Sequence, residues 1–591
     1  MMDPRRLFTF LLPKTGVCEE KTLYYRTEDD VTLKDGALFL SAGASVSFDC
    51  YFNVFDYALF RDDTPIEKVS YRLSFQGNLT LRLCLLRAAE NEQGYERITL
   101  SERRVSSSEK TETVLSLPLR DLAGKGSIYL SLQAESESVF YGGEIEGDRD
   151  PLRVVKIGVA ITTYKRESYV KRNVATLVRE LPSDRFGVFV TDNGNTLSPQ
   201  DVNGATLIPN KNLGGSSGFA RGIMEIQKRE GYTHILLTDD DISFEPEIFL
   251  RTAAILSYLL DAENVIVGAS MLFSDDPAFQ NELGAVWTGH RQLPQNKFIR
   301  VDDPLSLVKN ANYPLPDYSG WWYNCIPLSL TKRIGLPFPF FIKIDDAEYC
   351  IRAHAKILLL NGIGVWHECF DYKYQSSLEY YHTRNGLILN ALHYKKRGAL
   401  HAFVTLICNV AKQIVLQRYR TADLIFRAFD DFLKGANAYA ALDAAALHRE
   451  LATLGEGGIP REELLAQGYD LSSPLHREQR GSFTFSIKQA ITLNGYLLPA
   501  KKEGYRVVDV TASKPDFFYR ARRVVQYNPI TQKGFVTEQK RGVLFKTGLR
   551  LIGYFFKLLF RFRKASRSFR ESFPEMISER AWRERLDLPL D

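Results

Sequence analysis

Hydrophobic and polar residues alternate in three stretches of the first 150 residues, namely 46–52, 79–85 and 128–132. The second stretch follows Gln76-Gly77-Asn78, a combination of residues that predicts a turn. Alternation with a period of two, interrupted by turn residues, is typical of antiparallel strands in sandwiches and jelly rolls. We therefore expect residues 1–150 to form an antiparallel β-sandwich domain. Such a domain either binds carbohydrate or only packs against the rest of the protein, and the pattern favours neither.

A different pattern begins near Arg153. Residues 154–161 form a nearly continuous apolar run, of the kind that is buried on both faces of a parallel sheet. Further elements are then predicted in the order helix, strand, polar turn, helix and strand, at about 167–181, 186–190, 192–194, from 217, and 234–237. This alternation predicts a doubly wound α/β domain, which binds its ligands at the carboxyl ends of its strands.

From about residue 398 the pattern is helical, with alanine- and leucine-rich runs such as 438–454. We therefore expect three domains, over residues 1–150, 151–397 and 398–591. The longest apolar stretch, 399–416, contains His401, Asn409 and Lys412, so no transmembrane helix is predicted. The N-terminal apolar run is followed by Pro13 and Lys14 and has no small-residue cleavage site, so no signal peptide is predicted.

The composition is that of a globular protein, because 45% of the 591 residues are hydrophobic and 25% are charged. This excludes a disordered chain, a collagen-like chain and a small disulfide scaffold. The cysteines lie at positions 18, 50, 84, 325, 350, 369 and 408, and no two of them form a CxxC pair. An odd, scattered set predicts reduced thiols in a cytoplasmic protein.

The sharpest chemical feature is Thr238-Asp239-Asp240-Asp241, which directly follows the predicted strand 234–237. Carboxylates separated by one residue at the end of a strand can together hold a hard divalent cation such as Mg²⁺ or Mn²⁺. Such a cation also takes phosphate oxygens of a substrate. The alternative is an acidic turn exposed to solvent.

Three further motifs carry candidate chemistry. Asp345-Asp346 precedes a predicted helix, where the two carboxylates either cap the helix or supply a general base. His367 ends a short apolar strand and can complete the aspartate site, although a lone histidine is more often structural. The glycine-rich turn 210–218 opens a helix, and its N–H groups can approach a phosphate or a ribose.

Together, and in this order, the motifs resemble a GT-A-fold inverting glycosyltransferase of family 2. The motifs that carry the resemblance lie at 162–166, 192, 212–215, 239–241, 345–346 and 366–368. Gly320-Trp321-Trp322 and the segments 341–349 and 379–385 are similar to those of the polymerising galactofuranosyltransferases of bacterial cell-wall galactan. The layout of a β-sandwich, a GT-A domain and a helical region is also similar.

The resemblance implies a role for each matching residue. It implies Mn²⁺ or Mg²⁺ on Asp239, Asp241 and His367, and Asp346 as the catalytic base. On the side of the UDP-sugar it implies contacts from Arg166, Asp192 and Asn212, with His382 at the diphosphate and Asp240 as a supporting neighbour. On the acceptor side it implies Trp287, Trp321 and Trp322, with Asp345 as a supporting neighbour. Core packing is the alternative for the Trp321-Trp322 pair.

The implied reaction is a single inverting displacement that transfers galactofuranose from UDP-galactofuranose to a growing, lipid-linked glycan. A different nucleotide sugar, such as UDP-galactopyranose or a deoxyhexose donor, is the nearest alternative. A sugar nucleotidyltransferase predicts Gly-x-Gly-x-Arg after the first strand, where this chain has 161–166 without glycine. A non-catalytic carbohydrate-binding scaffold is a third possibility, and it requires that the aspartate and histidine cluster have no function.

The segment 541–570 contains nine lysines or arginines and no acidic residue. On a helix, Lys546, Arg550, Lys557 and Arg561 fall within an arc of about 60°, opposite a phenylalanine- and leucine-rich face. This pattern predicts a helix that lies on an anionic membrane surface, and the alternative is a helix that docks on the protein itself. We expect a protein on the inner face of the cell membrane that binds no nucleic acid, and the resemblance implies a homo-oligomer.

Overall fold

The computed structural model describes residues 5–90, 94–368, 375–472, 474, 483–500, 504–511 and 513–590. Along the chain, a strand-rich N-terminal region is followed by a mixed α/β region and then by a mainly helical region. No helix among these residues is long and apolar enough to cross a membrane.

The N-terminal region is an antiparallel sheet with one α-helix. Its elements are β1 (Arg6–Thr9), β2 (Val31–Lys34), β3 (Ala37–Leu40), β4 (Ser45–Ser47), β5 (Phe55–Asp56), α1 (Tyr57–Asp63), β6 (Lys68–Ala88), β7 (Tyr95–Pro118), β8 (Ser127–Ala134) and β9 (Ser138–Gly147). The main strand order is β2-β3-β9-β6-β8-β4, with β7 beside β6. The leucines at 79, 81 and 83 are fully buried, as their alternation predicts. Antiparallel β-structure is therefore confirmed, while the sandwich arrangement stays a prediction.

Two local predictions in this region are wrong. The segment 76–78 is not a turn, because β6 continues through it with a shift in its register against β7 between Phe75 and Gly77. Gly77 has a φ of +97°. The stretch 46–52 leaves the sheet after Ser47, and both Tyr51 and Phe52 are buried. The alternation ends there because the segment also packs against the next region, where the Phe52 ring lies 5.5 Å from Trp366.

The central region alternates strands and helices. Its first part consists of β10 (Ile157–Thr163), α2 (Glu167–Glu180), β11 (Phe186–Asp192), β12 (Thr206–Pro209), α3 (Gly215–Gln227), β13 (His234–Asp239), β14 (Ser243–Phe244) and α4 (Glu247–Tyr258). Its second part consists of β15 (Val265–Gly268), β16 (Ser270–Phe273), β17 (Phe279–Glu282), β18 (Ala285–Trp287), β19 (Gln292–Pro294), β20 (Ile299–Arg300), α5 (Pro304–Ala311), β21 (Asn324–Pro327), α6 (Leu328–Ile334), α7 (Asp345–Ala353), β22 (Lys356–Leu358), β23 (Gly364–His367) and α8 (Ser376–His393).

Two sheets organise this region. The larger has the order β12-β11-β10-β13-β21-β15-β22, and its first four strands are parallel. The smaller has the order β14-β23-β16-β17-β20. The predicted mixed α/β structure is confirmed, and the predicted helix over 167–181 matches α2 within one residue.

The N-terminal and central regions share one hydrophobic core. Arg251 of α4 lies at their boundary with 1% of its surface exposed. Its guanidinium donates hydrogen bonds to the carbonyl oxygens of Thr9, Phe52 and Gly362. Because a buried charge is costly unless it is fully paired, these bonds fix the two regions against each other.

The C-terminal region is helical only in part. Its helices are α9 (Ala399–Val415), α10 (Tyr419–Leu433), α11 (Ala436–Ala440), α12 (Ala444–Leu454), α13 (Arg461–Ala466), α14 (Phe483–Ile491), α15 (Pro515–Phe518), α16 (Arg541–Met576) and α17 (Glu579–Arg585). Its strands are β24 (Ile459–Pro460), β25 (Arg506–Asp509), β26 (Arg523–Asn528) and β27 (Lys533–Glu538), which form one sheet. The predicted helical region is confirmed, but the four strands within it were not predicted. In β26, residues 524–528 are all buried, so they do not show the alternation of a half-buried strand.

Candidate active site

The candidate site lies where the strand order of the larger sheet reverses. The chain runs from β10 outward through β11 and β12, and it returns as β13 on the other side of β10. The loops after β10 and β13 therefore border a crevice at the carboxyl ends of the strands, the usual ligand site of such sheets.

Asp240 ties these two loops together. Its carboxylate accepts a 2.7 Å hydrogen bond from Thr163 Oγ1 and one of 3.1 Å from Arg166 Nη1. Its backbone oxygen accepts a hydrogen bond from Asn173 Nδ2. The predicted Arg166 and Asp240 thus lie together. Thr163 belongs to the motif 162–166 but was given no role of its own, and Asn173 was not predicted. The position of Thr163 at the end of the strand that pairs with β13 was the available signal.

Asp239, Asp241 and His367 form a compact group of possible metal ligands. Each offers one ligand atom, and these three atoms lie within 4.8 Å of one another. His367 Nε2 is 3.0 Å from Asp241 Oδ1. The group forms because β14, which follows Asp241, pairs with β23, which ends at His367. The predicted cluster is therefore brought together by the smaller sheet.

The charges of this group suit a divalent cation. Burial and the neighbouring Asp241 carboxylate raise the pKa of Asp239 above its usual range. Burial lowers the pKa of His367, but Asp241 and Asp239 outweigh it, so the net shift is upward. Arg166 also forms an ion pair with Asp241. The carboxylates of Asp239 and Asp241 favour positive charge at this position. Together with the imidazole of His367 they form a set of ligands that suits Mn²⁺ or Mg²⁺.

Asp345 and Asp346 form the first turn of α7. Asp345 Oδ2 accepts a 2.8 Å hydrogen bond from Ser216 Oγ, and Asp346 Oδ1 accepts one of 2.7 Å from the Ala347 N–H. Burial, and then the negative charge of Asp345, raise the pKa of Asp346 above its usual range. A general base must be ionised before it takes a proton, and it takes the proton most effectively when its pKa lies nearer to the working pH than that of an ordinary aspartate.

The glycine-rich turn packs directly against the segment that leads to α7. Gly214 has φ +85°, and a Cβ at this position would lie only 1.8 Å from the Phe341 carbonyl oxygen. The next N–H, that of Gly215, donates a 3.0 Å hydrogen bond to the same oxygen. Asn212 Oδ1 accepts from the Gly214 N–H. Only glycine permits this approach, so the predicted turn is fixed against the aspartate pair.

Asp192 lies at the end of β11 and is 1% exposed. Its carboxylate accepts hydrogen bonds from the N–H groups of Gly194, Thr196 and Leu197, at 2.7–2.9 Å. The side chain therefore shapes its own loop, and a contact with UDP stays a prediction.

The predicted acceptor residues are mostly buried. Trp321 and Trp322 are each 5% exposed, and Trp322 Nε1 donates a hydrogen bond to the Ala269 carbonyl. Core packing is therefore the better account of Trp322. Trp321 Nε1 has no hydrogen-bond partner among the described residues. Trp287 Nε1 donates to Asn390 Oδ1, and its ring lies 6.1 Å from that of His382. Burial lowers the pKa of His382.

Comparison with known proteins finds galactofuranosyltransferases. A family model described as Galactofuranosyltransferase 2 N-terminal matches residues 7–144. Galactofuranosyltransferase GlfT2 of Mycobacterium tuberculosis is 24% identical over 92% of this chain and 91% of its own length. Galactofuranosyltransferase GlfT2 of Mycolicibacterium smegmatis is 26% identical over 69% of this chain and 67% of its own length.

Two solved structures match part of this chain. S. aureus TarS 1–349 in complex with UDP-GlcNAc has a TM-score of 0.32 and 14% identity, and the match covers 54% of this chain and 93% of that one. Mannosyltransferase PcManGT from Pyrobaculum calidifontis, in complex with GDP-Man and Mn²⁺, has a TM-score of 0.30 and 14% identity. That match covers 52% of this chain and 83% of the mannosyltransferase. In sequence, and along most of its length, this chain resembles the galactofuranosyltransferases.

Proposed function

We propose that this protein is a metal-dependent inverting glycosyltransferase that transfers galactofuranose from UDP-galactofuranose to a growing glycan. The catalytic part is a GT-A domain over residues 151–397, between domains at 1–150 and 398–591. The observation that supports this most is the group of Asp239, Asp241 and His367 beside the crevice at β10 and β13. The resemblance to galactofuranosyltransferases supports the choice of sugar.

Asp239, Asp241 and His367 hold Mn²⁺ or Mg²⁺ in this proposal. The bound cation neutralises negative charge on the diphosphate of the leaving group. His367 Nδ1 lies 2.5 Å from the Glu368 carbonyl oxygen, so Nδ1 carries the proton and Nε2 remains available as a ligand. Arg166, Asn212, Asp192, Asp240 and His382 are assigned to the donor side, where Arg166 is already held by the aspartates.

Asp346 takes the proton from the acceptor hydroxyl as that oxygen attacks the anomeric carbon, and the UDP oxygen leaves from the opposite face. The raised pKa of Asp346 suits this step. Asp345 stays beside it, bonded to Ser216. Trp287 and Trp321 are assigned to the acceptor side, where the Trp321 N–H, which has no partner among the described residues, is available to a sugar hydroxyl.

The donor is tested by supplying UDP-galactofuranose, UDP-galactopyranose and a deoxyhexose nucleotide, each with Mn²⁺, with Mg²⁺ or with EDTA. We expect turnover of UDP-galactofuranose that EDTA abolishes and that added Mn²⁺ restores. Turnover of a different donor would leave the proposed metal site unchanged and would contradict the proposed donor sugar. UDP binding that is indifferent to EDTA in the wild type and in Asp241→Asn would favour a non-catalytic scaffold.

The C-terminal helix α16 combines both predicted roles. One apolar stripe, which includes Tyr554, Leu558 and Phe562, is buried against the protein. The basic stripe is not wholly free, because Arg550 and Lys557 form ion pairs with Asp423 and Asp430 of α10. These ion pairs support the alternative that α16 docks on the protein itself, and the membrane-facing role of the stripe stays a prediction.

A second apolar surface of α16 and α9 is exposed. It is formed by Leu400, Val404, Phe545, Leu549, Ile552, Phe556, Leu559 and Phe560. The basic residues Lys546, Arg561, Arg563 and Lys564 are also exposed on α16. Apolar side chains next to positive charges are complementary to an anionic membrane surface. We assign this surface to such a membrane, where a lipid-linked acceptor is presented. The homo-oligomer stays a prediction.

Sedimentation with lipid vesicles tests the membrane surface. We expect binding to vesicles that contain phosphatidylglycerol, weaker binding to pure phosphatidylcholine, and loss of binding in the double variant Phe556→Ser/Leu559→Ser. Phe39→Ser removes an exposed phenylalanine from the N-terminal sheet and is the matched control. If Phe556→Ser/Leu559→Ser bound these vesicles as well as the control Phe39→Ser does, the surface would not be a membrane-binding surface.

A further inference from the structure

The backbone immediately before α7 has an unusual conformation. Lys343 and Ile344 have φ values of +69° and +73°, in the left-handed region. Few non-glycine residues adopt this region, and a β-branched isoleucine is rare there. Such a pair persists only where surrounding contacts hold it. Since α7 begins at Asp345, this pair sets the direction in which the first turn of α7, with Asp346, leaves the loop.

Asn385 of α8 supplies the contacts that hold this pair. The residue is fully buried, and its Nδ2 donates hydrogen bonds to the carbonyl oxygens of Ile342, at 3.0 Å, and Lys343, at 2.9 Å. Its Oδ1 accepts a hydrogen bond from Arg384 Nε, which fixes the orientation of the amide. Both hydrogen bonds need the NH₂ group of an asparagine side chain. Neither a carboxylate, as in aspartate, nor the methyl group of alanine can donate them.

The same segment is held from the other side by the glycine-rich turn. The Gly215 N–H donates to the Phe341 carbonyl, and Ser216 Oγ donates to Asp345. Between these two points, Asn385 holds the carbonyl oxygens of Ile342 and Lys343. Hydrogen bonds from the glycine-rich turn and from Asn385 therefore hold the segment from Phe341 to Asp345 from two sides.

We propose that Asn385 is a positioning residue for Asp346: its amide holds the left-handed pair Lys343-Ile344 and so aims the first turn of α7 at the acceptor hydroxyl. This inference rests on the proposed role of Asp346 as the base. Asn385 touches neither the donor nor the acceptor in this assignment. It acts through the backbone alone, so its loss affects the chemical step and not donor binding.

Kinetics of Asn385→Ala and Asn385→Asp test the proposal. Both remove the two donors, and aspartate keeps the size of the side chain. We expect kcat to fall by about 10- to 100-fold, as for other misplaced catalytic groups, with the donor KM changed by less than threefold. Asn53→Ala is the matched control, because buried Asn53 also donates from Nδ2 to two backbone carbonyls, those of Leu11 and Tyr24. We expect that variant to lose thermal stability and keep its kcat.

A second substitution separates positioning from a general loss of structure. Glycine adopts φ near +70° without steric cost. We therefore expect the double variant Asn385→Ala/Lys343→Gly to have a kcat at least threefold higher than that of Asn385→Ala. Lys343→Gly alone provides the reference for the lost charge. No recovery, or a kcat of Asn385→Ala equal to that of the wild type, would overturn the proposal.

Hydrogen exchange of residues 341–350 distinguishes this inference from the proposed function. We expect faster exchange of these amides in Asn385→Ala, with unchanged exchange in Asn53→Ala, and neither result requires a sugar donor. If the wild type transferred no sugar, the proposed function would fail while this measurement still decided whether Asn385 holds the segment. Unchanged exchange in Asn385→Ala would remove the structural basis of the inference.

Discussion

The two acidic clusters of the site consist of aspartates only, but they lie in very different surroundings. They are Asp239-Asp240-Asp241 and Asp345-Asp346. The first cluster follows β13, and positive side chains surround it: Arg166 pairs with Asp240 and Asp241, and His367 lies 3.0 Å from Asp241. Excess negative charge at this position therefore attracts cations, which is the requirement of a metal site.

The second pair opens α7 with few compensating charges. Its main partners are neutral, namely the Ser216 hydroxyl and the Ala347 N–H, and Lys343 is the positive residue that lowers the pKa of Asp346. The effects of burial and of Asp345 exceed these, so the pKa of Asp346 is raised. Burial also raises the pKa of Asp239, so the two clusters differ in their partners and not in this shift. The comparison teaches that carboxylates gathered beside an imidazole suit a metal ion, whereas a buried carboxylate with mainly neutral partners suits proton transfer.

The largest effect is expected for Asp346→Asn. An amide cannot accept the acceptor proton, so we expect kcat to fall by about 1,000-fold or more. UDP binding in the presence of Mn²⁺ should remain within threefold of the wild type, because Asp346 contacts no donor group in this assignment. Steady-state transfer assays and calorimetry measure the two quantities. Intact turnover would show that the base is another residue.

Asp241→Asn and His367→Ala act on the other cluster. Each removes one possible ligand, so we expect the affinity for UDP in Mn²⁺ to fall by roughly 10- to 100-fold. Titration of UDP with and without EDTA measures this change. Asp345→Asn, which also removes one buried carboxylate, is the matched control and should retain metal-dependent binding. Equal loss in all three variants would mean that the two clusters are not separate in function.

The smallest effect concerns pH. Because the base must be deprotonated and its pKa is raised, activity should rise with pH along a limb that lies above the usual range of aspartate. Asp345→Asn removes the neighbouring negative charge, so the pKa of Asp346 should fall and the limb should move to lower pH by roughly one unit. The pH dependence of kcat/KM measures this shift. A shift to higher pH would contradict the assignment of Asp345 as the cause.

Sequence patterns predicted local structure well where an apolar run or a helical pattern was uninterrupted. The helix over 167–181 and the strands that become β10, β11 and β13 are present in the structure. The turn predicted at 76–78 is wrong, because β6 continues through Gly77 with a shift in its register against β7. The strands β24 to β27 of the C-terminal region were not predicted, because strand formation depends on neighbouring strands as well as on the local pattern.

The sequence also identified the acidic clusters and His367 but could not show how they are arranged. Their proximity depends on the pairing of β14 with β23, segments that are far apart in the chain. The same holds for Asn385, whose position on α8 carried no local signal of its contact with Ile342 and Lys343.

The sequence by itself determined the order of β10, α2, β11, α3 and β13, because apolar runs and helical periodicity are local properties, but it did not predict β12. It also determined the chemical types of the residues at the ends of these strands. Only the tertiary structure decided which carboxylates meet His367, that Trp321 and Trp322 are buried, and which face of α16 docks on α10. Burial, pKa and hydrogen bonding depend on atoms from distant segments, and these are brought together only when the chain has packed.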